Sequence, residues 1–461
     1  MGGRGRLLLE DLVREVEAGR IETVVTALPD LYGRLVGKRI LGEFFLEEVA
    51  AQGMHVCDYL LACDLEMDPT PGYAFTNWEK GYGDLRARPD LGTLRHAAWL
   101  ERTAYVLCDA VSDATDELVA VAPRTILRRQ LERARAAGFA PKMGSELELY
   151  LFRDGFAEAR ERGYRGLRPF GGYVEDYHVL SSTFAEPVLG AIRRLVHASA
   201  IPVEFSKGEW GPGQHEINLR YAPALEMADR HVIYKTAAKE IAAQQGCSLT
   251  FMAKWNEQLA GSSLHVHTSL WSEADEAAFA GSERMPGTAL ETTPTFRWFL
   301  AGLLEHAQEL GWFFAPTVNS YKRYRVGTFA PTRIAWSVDN RTCGFRVVGH
   351  GPSLRVECRI PGADANPYLV YAALLAAGLD GIERRLEPGP PFEGDAYRAL
   401  DLPEVPTALA AAIAALEQSA FARRAFGEEV VDHLLHFARA ELGAFEVAVT
   451  DFERARYFER I

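Results

Sequence analysis

Cysteine is scarce in this chain. Six of the 461 residues are cysteine (Cys57, Cys63, Cys108, Cys247, Cys343 and Cys358), and no two of them form a C-x-x-C pair. Dispersed thiols exclude a disulfide framework and a thiolate zinc site, so a reducing compartment, the cytoplasm, is expected. Long apolar runs are lacking too. The uncharged stretch Ala365 to Leu379 is too short to span a bilayer and reads as a buried helix. Met1 to Glu17 alternates charges with leucines and has no apolar centre of the kind a signal peptide needs. Met1-Gly2 starts like an acylation site, but Arg6 stands where Ser or Thr is required. Positive charge is in deficit, with 63 acidic against 50 basic residues and a net charge of −13. That balance excludes a general attraction to nucleic acid or to an anionic membrane. No internal repeat or low-complexity tract stands out. What remains is ordinary globular composition, 48% hydrophobic and 25% charged, long enough for two domains or one large one with an appendage.

Helical spacing marks Leu7 to Glu17, and short strands are expected between Val24 and Leu46, around Asp30-Leu31-Tyr32-Gly33-Arg34. Asp64 to Asp90 is rich in Gly, Pro and Asp and reads as loop. Tyr105 to Asp109 is a strand candidate. Pro123 opens a helix to Ala137, where proline is tolerated in the first turn, and a domain boundary is placed near residue 118. Strands and helices then alternate. Strands are expected at Glu146–Phe152, Pro202–Phe205, His215–Leu219, Leu264–Leu270 and Leu354–Ile360. Helices are expected at Ser182–Ser199, Leu225–Gln245, Phe296–Leu310, Pro367–Arg384 and across Pro406–Phe445. Gly281 to Thr293 reads as an exposed loop.

Three of these strands place chemistry at every second position: Glu146-Leu147-Glu148, His265-Val266-His267, and Arg355-Val356-Glu357-Cys358-Arg359. In a strand, residues two apart point the same way, so each segment presents polar groups on one face and Leu, Val or Cys on the other. A further acidic pair, Glu209 and Glu216, brackets Trp210-Gly-Pro-Gly-Gln-His215, whose glycines and proline force a tight turn. Taken singly, each pattern has an ordinary reading as a solvent-facing strand edge, a core histidine or a loop. Together, five glutamates and one or two histidines suit magnesium or manganese better than structural zinc. Arg323, Arg341, Arg346, Arg355 and Arg359 fall within forty residues. A solvated basic face is the ordinary reading of any one of them. The Arg-x-Glu-x-Arg alternation instead suits a metal carboxylate flanked by guanidinium groups that bind phosphoryl or carboxylate.

The chain resembles the glutamine synthetase family, in its bacterial type I-like branch. The likeness is strongest from Pro141 to Glu387 and weakest in the first seventy residues. It is carried by Gly144-Ser-Glu-Leu-Glu148, Glu209-Trp-Gly-Pro-Gly-Gln-His-Glu216, Gly261-Ser-Ser-Leu-His-Val-His-Thr-Ser-Leu270, Pro316-Thr-Val-Asn-Ser-Tyr-Lys-Arg323 before Ala330-Pro331, Asn340-Arg341, Arg355-Val-Glu-Cys-Arg359 and Asn366-Pro-Tyr368. The resemblance implies an α+β fold: a small N-terminal β-grasp domain over residues 1–118, and a catalytic α/β domain with a curved antiparallel sheet over 119–461. It implies two or three Mg2+ (or Mn2+) ions per site, with ATP as co-substrate. Glu148, Glu209 and Glu216 would hold one metal, and Glu146, His265 and Glu357 another. His267, Ser269, Arg346, Arg355 and Tyr221 would contact ATP. Arg323, Arg359 and the backbone at Gly261 would bind glutamate, and Arg341 would steady the transferring phosphate. It also implies a homo-oligomer, a dodecamer of two hexameric rings with sites shared between neighbours. Nucleic acid and membrane are not implied as partners.

The chain departs from that family at the ammonium site. Phe329 stands just before Ala330-Pro331, where a glutamate is expected, Thr70 falls near the place of an aspartate with Asp68 close by, and Ala260 replaces an asparagine. Losing a carboxylate removes both attraction for ammonium and a base, whereas an aromatic suits a carbon-bearing amine. This resembles the γ-glutamyl-amine ligases that act on polyamines, ethanolamine or small alkylamines. Ammonia-using glutamine synthetase is the alternative; a guanidino kinase and an inactive scaffold are more distant ones. Tyr397 lies where type I enzymes carry a modified tyrosine, but its flanks do not match and it reads as structural.

Overall fold

The computed structural model describes residues 5–461, so the reading of Met1-Gly2 lies outside them. After the helix Leu9–Glu17, β1 (Thr23–Pro29) and β2 (Leu35–Leu41) pair antiparallel across a turn at Gly33, whose φ of +75° suits glycine. Strand was expected up to Leu46, but it ends at Leu41. From Gly42 the chain coils through a helical segment over 42–52 with a π turn at Phe45–Val49. Phe45 and Val49 lie one turn apart and are both buried, so the apolar run there serves a helix face rather than a pleat. β3 (Met54–Cys57), β4 (Asp84–Pro89), β5 (Arg95–His96) and β6 (Thr103–Ser112) complete a sheet of order β2-β1-β6-β4-β3, with β5 on β6. β1 and β6 run parallel at its centre, as in a β-grasp. The segment expected as loop to Asp90 therefore ends in a strand, β4, which is held by pairing with both β3 and β6.

A second, nine-stranded sheet carries the polar alternations. Its strands are β7 (Ala140–Phe152), β8 (Val203–Gly208), β9 (Gln214–Leu219), β10 (Ala222–Pro223), β11 (Ser248–Thr250) and β12 (Leu264–Trp271). After a small hairpin of β13 (Ala280–Arg284) and β14 (Glu291–Thr292) come β15 (Trp336–Val338), β16 (Phe345–Val348) and β17 (Arg355–Cys358). The order is β15-β16-β17-β12-β7-β9-β8, with β10 and β11 on β7. The pairings are antiparallel except β15–β16, which corrects a purely antiparallel expectation. The hairpin lies in the stretch expected as exposed loop, and it buries Met285 and Thr292.

Helices Pro123–Ala136, Ala224–Gln244, Pro294–His306 and Pro367–Arg384 supply the core beside this sheet. The last is buried on every side from Pro367 to Leu379, as an uncharged run of that length requires. Leu147, Leu149, Val266, Ile217 and Val356 belong to that core. Strand alternation then forces Glu146, Glu148, His265, His267, Glu216 and Glu357 onto the opposite face. The helical C-terminal stretch is divided at Ser419, which caps Ala420–Phe426, and at Gly427, with φ +90°, before Glu428–Glu446.

Candidate active site

Strand register assembles the site. Glu148 lies opposite Glu216, Glu146 opposite His265, and His267 opposite Glu357, which in turn faces Arg346. Directly opposed residues share a face, so four neighbouring strands pour carboxylates and imidazoles into one patch. The Glu209–Glu216 turn delivers the remaining acid. Gln214 holds that turn: its side-chain oxygen accepts from Gly211 N at 2.9 Å, and its Nε2 donates to Glu148 Oε2 at 3.1 Å and to Gly261 O at 3.0 Å.

Ligand atoms of Glu148, Glu209 and Glu216 lie within 4.8 Å of one another, and so do those of Glu146, Glu216 and His265. Burial, and then the neighbouring Glu209 charge, push the Glu148 carboxyl up to about 8. Burial and the charges of Glu146, Glu209 and Glu148 raise Glu216 well above the ordinary range. Buried like charges this close are unfavourable unless a cation joins them. Oxygen donors with one imidazole are the set a hard divalent cation takes, so these residues fit magnesium or manganese.

The two histidines differ. His267 Nδ1 accepts from Arg355 Nε at 3.1 Å, so in the neutral ring Nε2 carries the proton, which it donates to Glu146 Oε1 at 2.8 Å. That nitrogen has no lone pair to offer, although Glu146, His267 and Glu357 also approach within 4.8 Å. His265 points Nδ1 at Glu146 Oε2, 3.3 Å away, and its buried Nε2 has no partner among the described residues. Burial, and then Arg359, push His265 down to about 4, so the ring stays neutral and can offer a lone pair at Nδ1, the nitrogen that faces Glu146 and Glu357. His265 is thus the better ligand, with Glu146 and Glu357 beside it. Burial opposes ionisation of Glu357, but Arg359 and the histidines hold it down at about 2.

Two cavities meet along Glu146, Phe205 and Asn218. One, of about 580 Å³, is lined by Tyr221, His267, Ser269 and Arg355. The other, of about 720 Å³, is lined by Glu146, Glu148, Glu209 and Glu216 with Gly261, Phe329, Arg341, Arg346 and Arg359. Arg346 donates to Glu357 at 2.8 Å and to Asp339 at 3.0 Å, so it faces the second cavity rather than the first, where it was expected with ATP. Arg359 pairs with Glu357. Arg341 is exposed and forms no ion pair among the described residues. Arg323 lines neither cavity. Its buried guanidinium donates to Ser263 Oγ, Ile360 O and Arg359 O at 2.7–3.2 Å, which commits it to the framework under the site rather than to a ligand. Gly261 admits no side chain, since a Cβ would lie 2.6 Å from Ala253 O.

Phe329 is half exposed in a left-handed backbone conformation (φ +59°), unusual for an aromatic residue, with its ring 5.7 Å from that of Trp210. Tyr397 sits in the short turn Ala396–Arg398 with its hydroxyl buried. Lys207, Asp176 and Tyr177, which also line the larger cavity, were missed in the sequence. The signal for Lys207 was present, because it stands two residues before Glu209 in the same alternation used elsewhere.

Residues 120–457 match the family described as glutamine synthetase, catalytic domain. The chain is 49% identical over 453 residues to a γ-glutamylethanolamide synthetase of Streptomyces coelicolor, covering 98% of this chain and 96% of that one. It is 36% identical over 451 residues to a glutamate–isopropylamine ligase of a Pseudomonas species, covering 97% of each. Among solved structures, GmaS in complex with ADP superposes with a TM-score of 0.84 at 28% identity, covering 97% of this chain and 99% of that one.

Proposed function

The chain belongs to the glutamine synthetase family, and from that premise we propose that it is an ATP-dependent glutamate–amine ligase that makes a γ-glutamyl amide from glutamate and an organic primary amine. The observation that carries this reading is the Phe329–Trp210 wall standing beside the acid cluster, where an ammonia-using enzyme needs another carboxylate. The similarity to ligases named for ethanolamide and isopropylamine supports it.

A carboxylate is a poor electrophile, so the reaction proceeds in two displacements. The γ-carboxylate oxygen of glutamate attacks the γ-phosphorus of ATP, and ADP leaves. The amine nitrogen then attacks the acyl carbon of the γ-glutamyl phosphate and phosphate departs, the nitrogen losing its proton. Tyr221, His267, Ser269 and Arg355 line the nucleotide cavity in this reading, with Arg355 fixing the His267 ring. Arg359 and the backbone at Gly261 bind glutamate, and Arg323 positions Arg359 through its carbonyl. Arg341 and Arg346 face the transferring phosphoryl group. Glu148, Glu209 and Glu216 would hold one divalent cation, and Glu146, His265 and Glu357 another. Bound there, such ions supply neutralisation of phosphate charge.

The same reading places the N-terminal domain at 1–118 and the catalytic domain at 119–461, in a cytoplasmic ring assembly with shared sites. Exposed apolar side chains at Val447, Val449, Phe452 and Phe458 support burial against another copy, which light scattering would measure. No helix among the described residues is long and apolar enough to cross a membrane. Phosphate release from ATP and glutamate, with ammonium, methylamine, ethanolamine, putrescine and spermidine compared, tests the reaction. Organic amines are expected to exceed ammonium in kcat/KM, and a clear preference for ammonium would overturn the assignment.

A further inference from the structure

One cation in the larger cavity has no role in the chemistry above. Lys207 lies on β8 opposite Glu216, its side chain mostly buried. Its Nζ pairs with Glu209, lies 3.4 Å from Asp176 Oδ1, and sits 4.4 Å from the centre of the Tyr177 ring. Asp176, Tyr177, Trp210 and Phe329 line that same cavity. Lys207 therefore fills a seat built for a primary ammonium, with two carboxylates and an aromatic face.

We propose that Lys207 is a charge filter that restricts the acceptor to amines carrying no second positive charge. The proposal rests on the amine-ligase reading and narrows its substrate class. Glu209 shares its charge with Glu148 and Glu216 in the metal-type cluster, so among the described residues Asp176 is left balanced by Lys207 alone. An alkyl tail on the acceptor meets the Trp210 and Phe329 rings at no electrostatic cost. A hydroxyl tail can accept from Lys207 or donate to Asp176. A second ammonium meets a filled seat, and like charges brought together in a partly desolvated cavity repel strongly. Lys207 cannot move aside without leaving Asp176 unpaired.

The experiment is kcat/KM for putrescine relative to ethanolamine, in the full-length protein and in three variants. Wild type is expected to favour ethanolamine. Lys207→Met unmasks Asp176 for the far ammonium of putrescine and is expected to raise the putrescine-to-ethanolamine ratio at least about tenfold. Lys207→Arg keeps the charge and should keep the wild-type ratio. Asp176→Asn added to Lys207→Met should abolish most of the gain, which a merely structural Lys207 would not predict. A ratio unchanged within about twofold in Lys207→Met, or a wild type that already favours putrescine, overturns the filter while leaving the ligase reading intact. Failure of wild type to use any organic amine overturns the ligase reading instead.

Discussion

Glu148 is the residue at which the electrostatics of this molecule are most exposed to test. Its carboxyl, pushed up to about 8 by burial and Glu209, accepts from Ser263 N at 2.8 Å and from Gln214. Glu148→Gln keeps an acceptor oxygen for those donors and removes the charge conflict. Without added metal the variant should be at least as stable as wild type, by up to roughly 1–2 kcal/mol. Wild type should gain thermal stability on adding Mn2+ or Mg2+, because a ligand that binds only the folded state stabilises it. The variant should lose most of that gain, and a thermal-shift titration reads both signs at once. Equal metal-induced shifts in the two proteins would remove Glu148 from the ligand set.

Phe329 offers the opposite separation of stability from function. Its φ of +59° costs on the order of 1 kcal/mol, which glycine would relieve, while the edge contact with Trp210 is of similar size. Phe329→Gly should therefore leave unfolding free energy within about 1 kcal/mol of wild type and raise the amine KM by roughly tenfold or more, with the glutamate KM little changed. An unaltered amine KM would show that the ring only packs.

At the scale of elements, the histidine that joins three helices gives a pH dependence. His306 closes Pro294–His306, donates from Nε2 to Asp380 of Pro367–Arg384 at 2.7 Å, pairs with Glu309, and stacks on Phe421 at 3.6 Å. Burial disfavours its charge, but the two carboxylates outweigh it and its pKa is raised. The unfolded chain titrates near 6.5. The added stability is therefore fully present below about 6.5 and is lost as pH rises through the higher folded value. Both carboxylates are lowered by the same contacts, so they stay ionised in mildly acidic solution. His306→Asn should cost more stability at pH 5.5 than at pH 9, measured by urea unfolding. A cost that does not change with pH would mean the ring is held by stacking alone.

Elements are also where the sequence was most and least legible. E-x-E, H-x-H and R-x-E-x-R could be read because a strand repeats every two residues, so a local pattern states which side chains share a face. Which strands would adjoin could not be read in the same way. β17 reaches β12 across about ninety residues, and that register, not the local pattern, puts Glu357 beside His267. The helix after Leu41 was hidden because Phe44-Phe45-Leu46 continues a strand-like apolar run, and only the spacing of Phe45 to Val49 speaks for a helix. Arg323 and Arg346 were expected to contact glutamate and ATP. Their hydrogen-bond partners, Ile360 O and Glu357, depend on tertiary geometry that no spacing encodes.

At the scale of the whole molecule, the two sheets are joined through one buried guanidinium. Arg124, in the first turn of Pro123–Ala136, donates to Asp229 on helix Ala224–Gln244 at 2.9–3.0 Å, to Asp90 at 2.7 Å just beyond β4, and to Asp109 in β6. Tyr368 donates a further bond to Asp229 at 2.6 Å. Three carboxylates from both units thus depend on a side chain that is 2% exposed. Arg128 covers Asp90 and Asp109 as well, but among the described residues no second ion pair forms to Asp229. Arg124→Met leaves that aspartate buried without a counter-ion, a change that costs about 3–5 kcal/mol when one partner of a buried pair is removed. Arg128→Met, at a more exposed position, should cost about 1 kcal/mol or less. The loss should also be uneven. Hydrogen exchange should quicken across β1 and β6 before it does in β7 and β12, because the Arg124 contacts dock the smaller sheet, whereas the larger keeps its own helical core. Uniform acceleration in both sheets would instead make the arginine a general support of the fold and not the joint between its halves.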